Sequence, residues 1–457
     1  MQNESSGSER EVVIDGAGRI DASALIDAQP IGRTQLSVFT LAFLIAAFDG
    51  LDLQVISFVS LDMAREWNIS RASLGAVFST GLFGMMLGGL SLGTLGDVFG
   101  QRRVLIALTV LLGLLTVATG FTTSMGQLYV LRFLTGLCVG GALPNTVALL
   151  SQYAPKRRRA QLISVVGVGI PLGAATGGVL AALLLPELDW RWLFYVAGGL
   201  ALTFCPVLLT SLPETIPSML KRADGQHQAL TMLRSMYPRV VIPQGEVIWG
   251  DVSAKRQLPV VQLFDGGRVY MTVLLWSVFV ASLMNVYLLP SWLPALLQDA
   301  QVPPAKAALA TSGFSVAGML GAVSIGWLVD RFGFVRVLCT GYILSAIGIA
   351  AVALSHSSLA VLATTVFLSG FFVVGCQGAL NAVPSILYPA DVRSTATGWA
   401  LGIGRLGAIV GPLLAGILLS AGWAHSQVLL GAALVGVLAS LLVLILAVAR
   451  ASTSTDR

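Results

Sequence analysis

Charge, histidine and cysteine are all scarce in this chain. Of its 457 residues only 11% are Asp, Glu, Lys or Arg, while 56% are hydrophobic. A mean hydropathy of +0.84 excludes an ordinary water-soluble globular domain. The four cysteines, Cys138, Cys205, Cys339 and Cys376, make no CxxC pair or Cys/His cluster and all fall in apolar segments, so neither disulfides nor a metal site is expected. The three histidines, His227, His356 and His425, map to loops. Without a nucleophile-base pair inside the apolar segments, an intramembrane enzyme is disfavoured and no cofactor is implied. The first 33 residues carry Glu4, Glu9, Glu11, Asp15, Asp21 and Asp27 with little apolar content. That is not a cleavable signal peptide, and a partly disordered tail is expected.

What the chain has in abundance is long apolar runs. Twelve reach the roughly 20 residues that a helix needs to cross the hydrocarbon core. Their cores lie near 38–60, 74–95, 104–122, 127–150, 162–186, 192–212, 269–290, 308–329, 337–354, 359–387, 397–419 and 427–449. Membrane β-strands would show short alternating segments instead, so the expected class is an all-α integral membrane protein. If the N-terminus is cytoplasmic, 21 of the 27 Lys and Arg residues fall inside, 4 outside (Arg65, Arg71, Arg191, Lys306) and 2 within helices. This bias places both termini in the cytoplasm. It also explains the net charge of +5 without a nucleic-acid partner.

One long polar connection, 213–267, splits the chain into six helices plus six. The expected organisation is a tail at 1–33, a six-helix bundle at 34–212, the central loop at 213–267, a second six-helix bundle at 268–449 and a tail at 450–457. The halves echo each other. GTLGDVFGQRR (Gly93 to Arg103) is matched by GWLVDRFGFVR (Gly326 to Arg336), and GALPN (Gly141 to Asn145) by GALNA (Gly378 to Ala382), at an offset of about 235 residues. Such a repeat implies two bundles related by an axis along the membrane normal, with the working site between them near the midplane.

Four charges sit within the apolar runs: Asp49 and Asp52 in helix one, Arg132 in helix four and Arg405 in helix eleven. At roughly 2.5–3.5 kcal/mol each near the bilayer centre, they mark either a transport pathway or structural ion pairs. Residues three apart share a helix face, so both aspartates can look into one cavity. Two close carboxylates discourage joint ionisation, which makes one of them a proton carrier; spacing does not say which. Gly50 between them also fits a simple close-packing role. Helix directions put Arg132 at a depth where it can meet an aspartate of helix one. No acidic residue stands near Arg405 at its depth, so its guanidinium fork is suited to a substrate carboxylate, or else to backbone carbonyls of its glycine-rich helix.

The twelve helices, the central loop and the duplicated G-x-x-x-D-x-x-G-x-[RK] loop resemble the major facilitator superfamily over essentially the whole chain. More narrowly, DGLD in helix one, LRFLTGLCVGGALPN in helix four, LPET after helix six, SWLPALL after helix seven and GIGRLGAIVGP in helix eleven resemble its aromatic acid:proton symporter family. The resemblance implies uptake of aromatic carboxylates such as benzoates, hydroxybenzoates or phenylpropionates, driven by the proton gradient across a bacterial inner membrane, by a monomer. It assigns Asp49 and Asp52 to proton coupling, links Arg132 with Gly136 to proton transfer, and supports Arg405 as a substrate-binding residue.

For the ring, the helices expected to line the cavity offer Trp276, Tyr287, Asn285, Phe371, Phe372, Gln377, Asn381, Asn145 and Trp399, each of which can equally be a packing residue. In the duplicated loop, Asp97, Gly100 and Arg102 fit the family pattern and are expected to gate by charge-assisted bonds between bundles, as are Asp330, Arg331 and Gly333 in the second copy. Val98 and Gln101 depart from it, since a basic residue is usual at both positions. A proton partner also makes physical sense. An inside-negative potential opposes entry of an anion by about 2.3 kcal/mol per 100 mV, and one co-transported proton cancels that charge. Export or uniport of another organic anion is the competing transport reading. A membrane sensor would need a signalling domain larger than the tail or central loop supplies.

Overall fold

The computed structural model describes residues 19–455 except 223, 239, 251–262, 265–267, 355–358 and 390–391, so His356 lies outside the described residues. Among the described residues twelve helices are long and apolar enough to cross a membrane. In the first half they are α1 (Arg33–Trp67), α2 (Arg71–Phe99), α3 (Gln101–Thr119), α4 (Met125–Tyr153), α5 (Lys156–Leu184) and α6 (Arg191–Ser211). In the second half they are α7 (Val269–Asp299), α8 (Pro304–Phe332), α9 (Phe334–Leu354), α10 (Ala360–Leu387), α11 (Thr395–Ser420) and α12 (His425–Arg450). All twelve apolar runs are helices. Many extend past the apolar core, because their polar ends continue the backbone ladder beyond the bilayer's hydrocarbon.

The repeat is visible in the packing. Within the first bundle α2 packs on α4, α1 on α5 and α3 on α6; the second bundle repeats this as α8 on α10, α7 on α11 and α9 on α12. The bundles meet along two symmetric seams, α2 with α11 and α5 with α8. Bare backbone lets the α1–α5 pair approach closely. A Cβ on Gly50 would lie 1.9 Å from the Ile170 carbonyl oxygen, and one on Gly173 would lie 1.8 Å from that of Ala47, so Gly50 is a packing residue between the two aspartates. Both duplicated loops turn on a glycine that an L side chain would strain: Gly100 has φ +90° and Gly333 φ +83°.

An even number of crossings puts both chain ends on one side, here the terminal side; the other is the far side. Residues 19–33, the described part of the tail, hold some regular structure. Ile20–Asp21 (β1) pairs in parallel with Val247–Ile248 (β2) of the central connection, and a short helix, Ala22–Ala28, follows with Asp21 as its N-cap. Ile20, Leu25 and Ile26 are buried there, and Asp27 Oδ1 accepts from the Lys156 amide at 2.6 Å. The central connection also contains helices Ile216–Leu220 and Gly225–Met236, the second of which carries His227. The histidines therefore do not all lie in loops: His227 is helical and His425 opens α12.

Candidate functional site

The far side is held shut between the bundles. Arg71 at the start of α2 donates to both oxygens of Asp299 at the end of α7, at 2.9 and 2.8 Å. His425 Nε2 of α12 lies 2.8 Å from the same carboxylate. The Ala72 amide donates to Ser420 Oγ at 2.7 Å. Deeper in, Ser79 Oγ donates to the Ile409 carbonyl at 2.6 Å, Ser312 Oγ to that of Ala175 at 2.8 Å and Gln54 Nε2 to that of Pro290 at 2.7 Å. The last such bond toward the terminal side is Arg405 Nη1 to the Met85 carbonyl, 2.8 Å. None of the hydrogen bonds or ion pairs joining the bundles among the described residues lies nearer the terminal side. Arg71, Asp299 and His425 escaped the sequence reading. Their one signal is that each is a polar residue at a far-side helix end.

Below this seal lies a cavity of about 180 Å³ between the bundles. For scale, an apolar cavity of roughly 150 Å³ takes a benzene ring. Asp52, Gln54, Arg132 and Thr135 contribute to one wall; Tyr287, Ser291 and Ser315 contribute to the other. Phe78 and Phe314 add rings, one from each bundle.

The charged groups of helix one part company. Asp52 and Arg132 are buried at 4% and 3% exposure and face each other: Arg132 Nη2 lies 3.3 Å from Asp52 Oδ1, which also accepts from Thr116 Oγ1 at 2.6 Å. Arg132 further reaches the Asp52 carbonyl and Thr119 Oγ1, both at 3.4 Å, and its guanidinium stands 5.5 Å from the centre of the Phe194 ring. Asp49 is just as buried, at 5%, yet it makes no hydrogen bond or ion pair among the described residues. A buried ion pair of this kind is compensated; an isolated buried carboxylate is not.

Arg405 is half-buried and has no carboxylate within ion-pair distance among the described residues. Its bond to Met85, one helical turn beyond the cavity-lining Gly81 and Leu82, places it at the terminal-side end of the cavity. The carbonyl it finds belongs to the opposite bundle rather than to its own helix.

Several expected ring-binding residues point elsewhere. Asn145 Nδ2 donates to the carbonyls of Leu92, 3.0 Å, and Gly141, 2.7 Å, tying α4 to the 3₁₀ turn Leu92–Thr94 that interrupts α2. Asn285 Nδ2 donates to the Ala432 carbonyl at 2.9 Å, inside the second bundle. Gln377 Nε2 donates to Asn381 Oδ1 at 2.9 Å, one turn along the same helix. Trp399 stacks on Trp276 with centroids 6.0 Å apart, and Phe371 packs edge-on against Phe372 at 5.1 Å. None of these eight lines the cavity. In each case the nearest partner belongs to the packing of one bundle. Of the ring-binding candidates only Tyr287 is in the wall, within electrostatic reach of Arg405.

Among the described residues the duplicated loops make no bond between bundles in this conformation. Asp97 Oδ1 accepts from Gln101 Nε2 at 3.4 Å and its carbonyl from Lys221 Nζ at 2.8 Å. Arg102 Nη2 donates to the Leu209 carbonyl at 2.5 Å. A neutral glutamine where a basic residue is usual replaces an ion pair with a hydrogen bond, and it also takes Thr215 Oγ1 of the central connection at 3.3 Å. Asp330 and Arg331 are exposed, the arginine standing over Trp327 and Phe332.

The Major Facilitator Superfamily model matches residues 41–301 and 274–456. The 4-hydroxybenzoate transporter PcaK of Pseudomonas aeruginosa is 37% identical over 434 residues, covering 93% of this chain and 96% of that protein. The gallate transporter of Pseudomonas putida is 34% identical, covering 88% and 90%. Among solved structures, the inward open conformation of the xylose transporter XylE from E. coli superposes with a TM-score of 0.69 at 19% identity, covering 89% of this chain and 95% of that one; this likeness concerns the fold.

Proposed function

The chain belongs to the Major Facilitator Superfamily and to its aromatic acid transporters, and we propose that it takes up an aromatic carboxylate together with protons by alternating access. It is a multi-pass membrane transporter and not an enzyme. The observation that carries the finer reading is the asymmetric cavity, with a compensated Asp52–Arg132 pair in its wall, an unpaired Asp49 behind it and a guanidinium at its terminal-side end.

In this reading the terminal side is the cytoplasm of a bacterial cell, as the Lys and Arg bias favours, and the far side faces outward. Arg405 receives the substrate carboxylate. It exchanges a single carbonyl acceptor for a carboxylate, whose two oxygens match the guanidinium fork. The ring lies in the cavity between Phe78 and Phe314, where edge and face contacts favour a flat aromatic. Asp49 carries the proton, because its charge has no partner among the described residues, whereas Asp52 is held by Arg132 and Thr116. Release of the Arg71–Asp299 bond opens the far side, and Asp97, Arg102, Asp330 and Arg331 form bonds between the bundles in that outward-open state.

Uptake of radiolabelled 4-hydroxybenzoate into proteoliposomes, with and without an imposed acid-outside gradient, tests the proposal. Accumulation above equilibrium only with the gradient is expected. Equilibration that ignores the gradient removes the symport, and absence of uptake removes the substrate class.

A further inference from the structure

Many hydroxyls on the membrane helices of this chain share a habit that the two serines of the cavity wall do not follow. A hydroxyl on an α-helix ordinarily donates back to a carbonyl three or four residues earlier. Thr80, Thr109, Thr176, Ser277, Thr311 and Ser369 all do so, at 2.7–2.9 Å. Ser291 of α7 and Ser315 of α8 do not: neither hydroxyl has a hydrogen-bond partner among the described residues, and both residues line the cavity. Tyr287, one turn before Ser291, lines it as well, and its hydroxyl is equally without a partner among the described residues.

The other polar side chains of the wall each make at least one bond within the protein. Thr135 Oγ1 donates to the Arg132 carbonyl at 3.2 Å, Gln54 Nε2 to the Pro290 carbonyl, and Asp52 and Arg132 hold each other. The wall hydroxyls left without a partner among the described residues are therefore these three, all from the second bundle; the Arg132 Nε–H of the first bundle is also buried without one. Each hydroxyl can both donate and accept, which suits a phenolic O–H and not a carboxylate, whose preference is for cations. Depth agrees. Ser291 and Ser315 lie about 8 and 11 residues from the far-side ends of their helices, roughly 12–17 Å at 1.5 Å per residue, while Arg405 lies about 15 residues, or roughly 22 Å, from its own. A ring whose carboxylate meets Arg405 directs its opposite edge toward the serines.

We propose that Ser291, Ser315 and Tyr287 form a subsite for ring hydroxyl groups, making this a transporter of hydroxylated aromatic acids in preference to unsubstituted ones. The inference rests on the aromatic acid reading above and adds what discriminates within that class. A site that offers hydrogen bonds to a substrate hydroxyl penalises the analogue lacking it, because its own polar groups are then left unpaired in the complex.

The test is competition in proteoliposome counterflow by 4-hydroxybenzoate, 3-hydroxybenzoate, benzoate and 4-methoxybenzoate. The wild-type chain is expected to bind a hydroxybenzoate about tenfold more tightly than benzoate or the methyl ether. The pair Ser291→Ala and Ser315→Ala together is expected to erase that ratio by weakening the hydroxylated ligand while leaving benzoate unchanged. Ser277→Ala, whose hydroxyl is spent on the Val273 carbonyl, is expected to keep it. A wild-type preference of less than about twofold, or an unchanged ratio in the double variant, overturns the subsite while the aromatic acid reading stands. Failure of every ligand to compete overturns both. The wild-type ligand series decides the matter even if the double variant does not fold.

Discussion

The two bundles are built on one plan and furnish the cavity with opposite chemistry. The first brings a buried ion pair, Asp52 and Arg132, with Asp49 beside it; the second brings the hydroxyls of Tyr287, Ser291 and Ser315, with Arg405 set apart at the seam. The helix pairing is the same in both halves, so the fold does not demand the difference. A bundle that handles protons needs carboxylates whose charge can be compensated or removed. A bundle that grips a ring needs neutral groups that do not have to be neutralised before the cavity closes.

The sharpest way to break this contrast is to unpair the charged wall. Asp52→Asn leaves Arg132 as an uncompensated buried cation, and Arg132→Gln does the reverse to Asp52. Each is expected to cost on the order of 3–5 kcal/mol, read as a lower midpoint in a thermal unfolding assay in detergent. The double variant should recover most of that stability without recovering gradient-driven accumulation. If the double variant accumulates substrate, the pair is only structural.

Next in size is the seam cation. Arg405→Lys keeps the charge and loses the fork, and about a tenfold rise in the Kd for the aromatic acid is expected, measured by scintillation proximity binding. A smaller effect belongs to the far-side seal. Arg71→Ala removes the bidentate contact with Asp299 and should raise, a few-fold, the labelling from the far side of a cysteine introduced at Val77→Cys in the cavity wall. Unchanged labelling would mean that the seal does not hold the conformation.

The smallest effect is expected where the first bundle meets the ordered tail. Burial works to raise the Asp21 carboxyl pKa, but hydrogen bonds from Ala24, Ser23 and the Gly250 amide together hold it below its usual value. A depressed carboxylate contributes stability above its unfolded pKa that is lost as pH falls through the folded one. Asp21→Ala removes the cap at a cost of about 1 kcal/mol and should speed protease nicking near Ile20 at pH 7. The difference from wild type should narrow in acid, with transport unaffected.

How much of this was legible in the chain follows from the range of each interaction. The twelve spans were, because hydrophobic length is a local property. So was the meeting of helix one with helix four, since spacing and direction fix the depth of Asp52 and Arg132. Asn145, Asn285, Gln377 and Trp399 lie outside the cavity wall, because an amide or an indole in a membrane helix finds a partner in a near neighbour, and which neighbour that is depends on rotation about the helix axis. The Arg71–Asp299–His425 cluster was invisible because it joins three helix ends, two of them from a different bundle, at positions that a topology count treats only as outside charges. Ser291 and Ser315 look like any other serine until the cavity they line is set beside the bonds they lack. In the described part of the tail, Ile20, Leu25 and Ile26 bury a small apolar face that composition averages away.

The central claim is that Asp49, unpaired beside a compensated pair, carries the proton. Asp49→Asn, reconstituted in proteoliposomes, is expected to retain counterflow exchange of 4-hydroxybenzoate at close to the wild-type rate and to lose accumulation driven by an imposed pH gradient. Accumulation that survives the substitution would contradict the account.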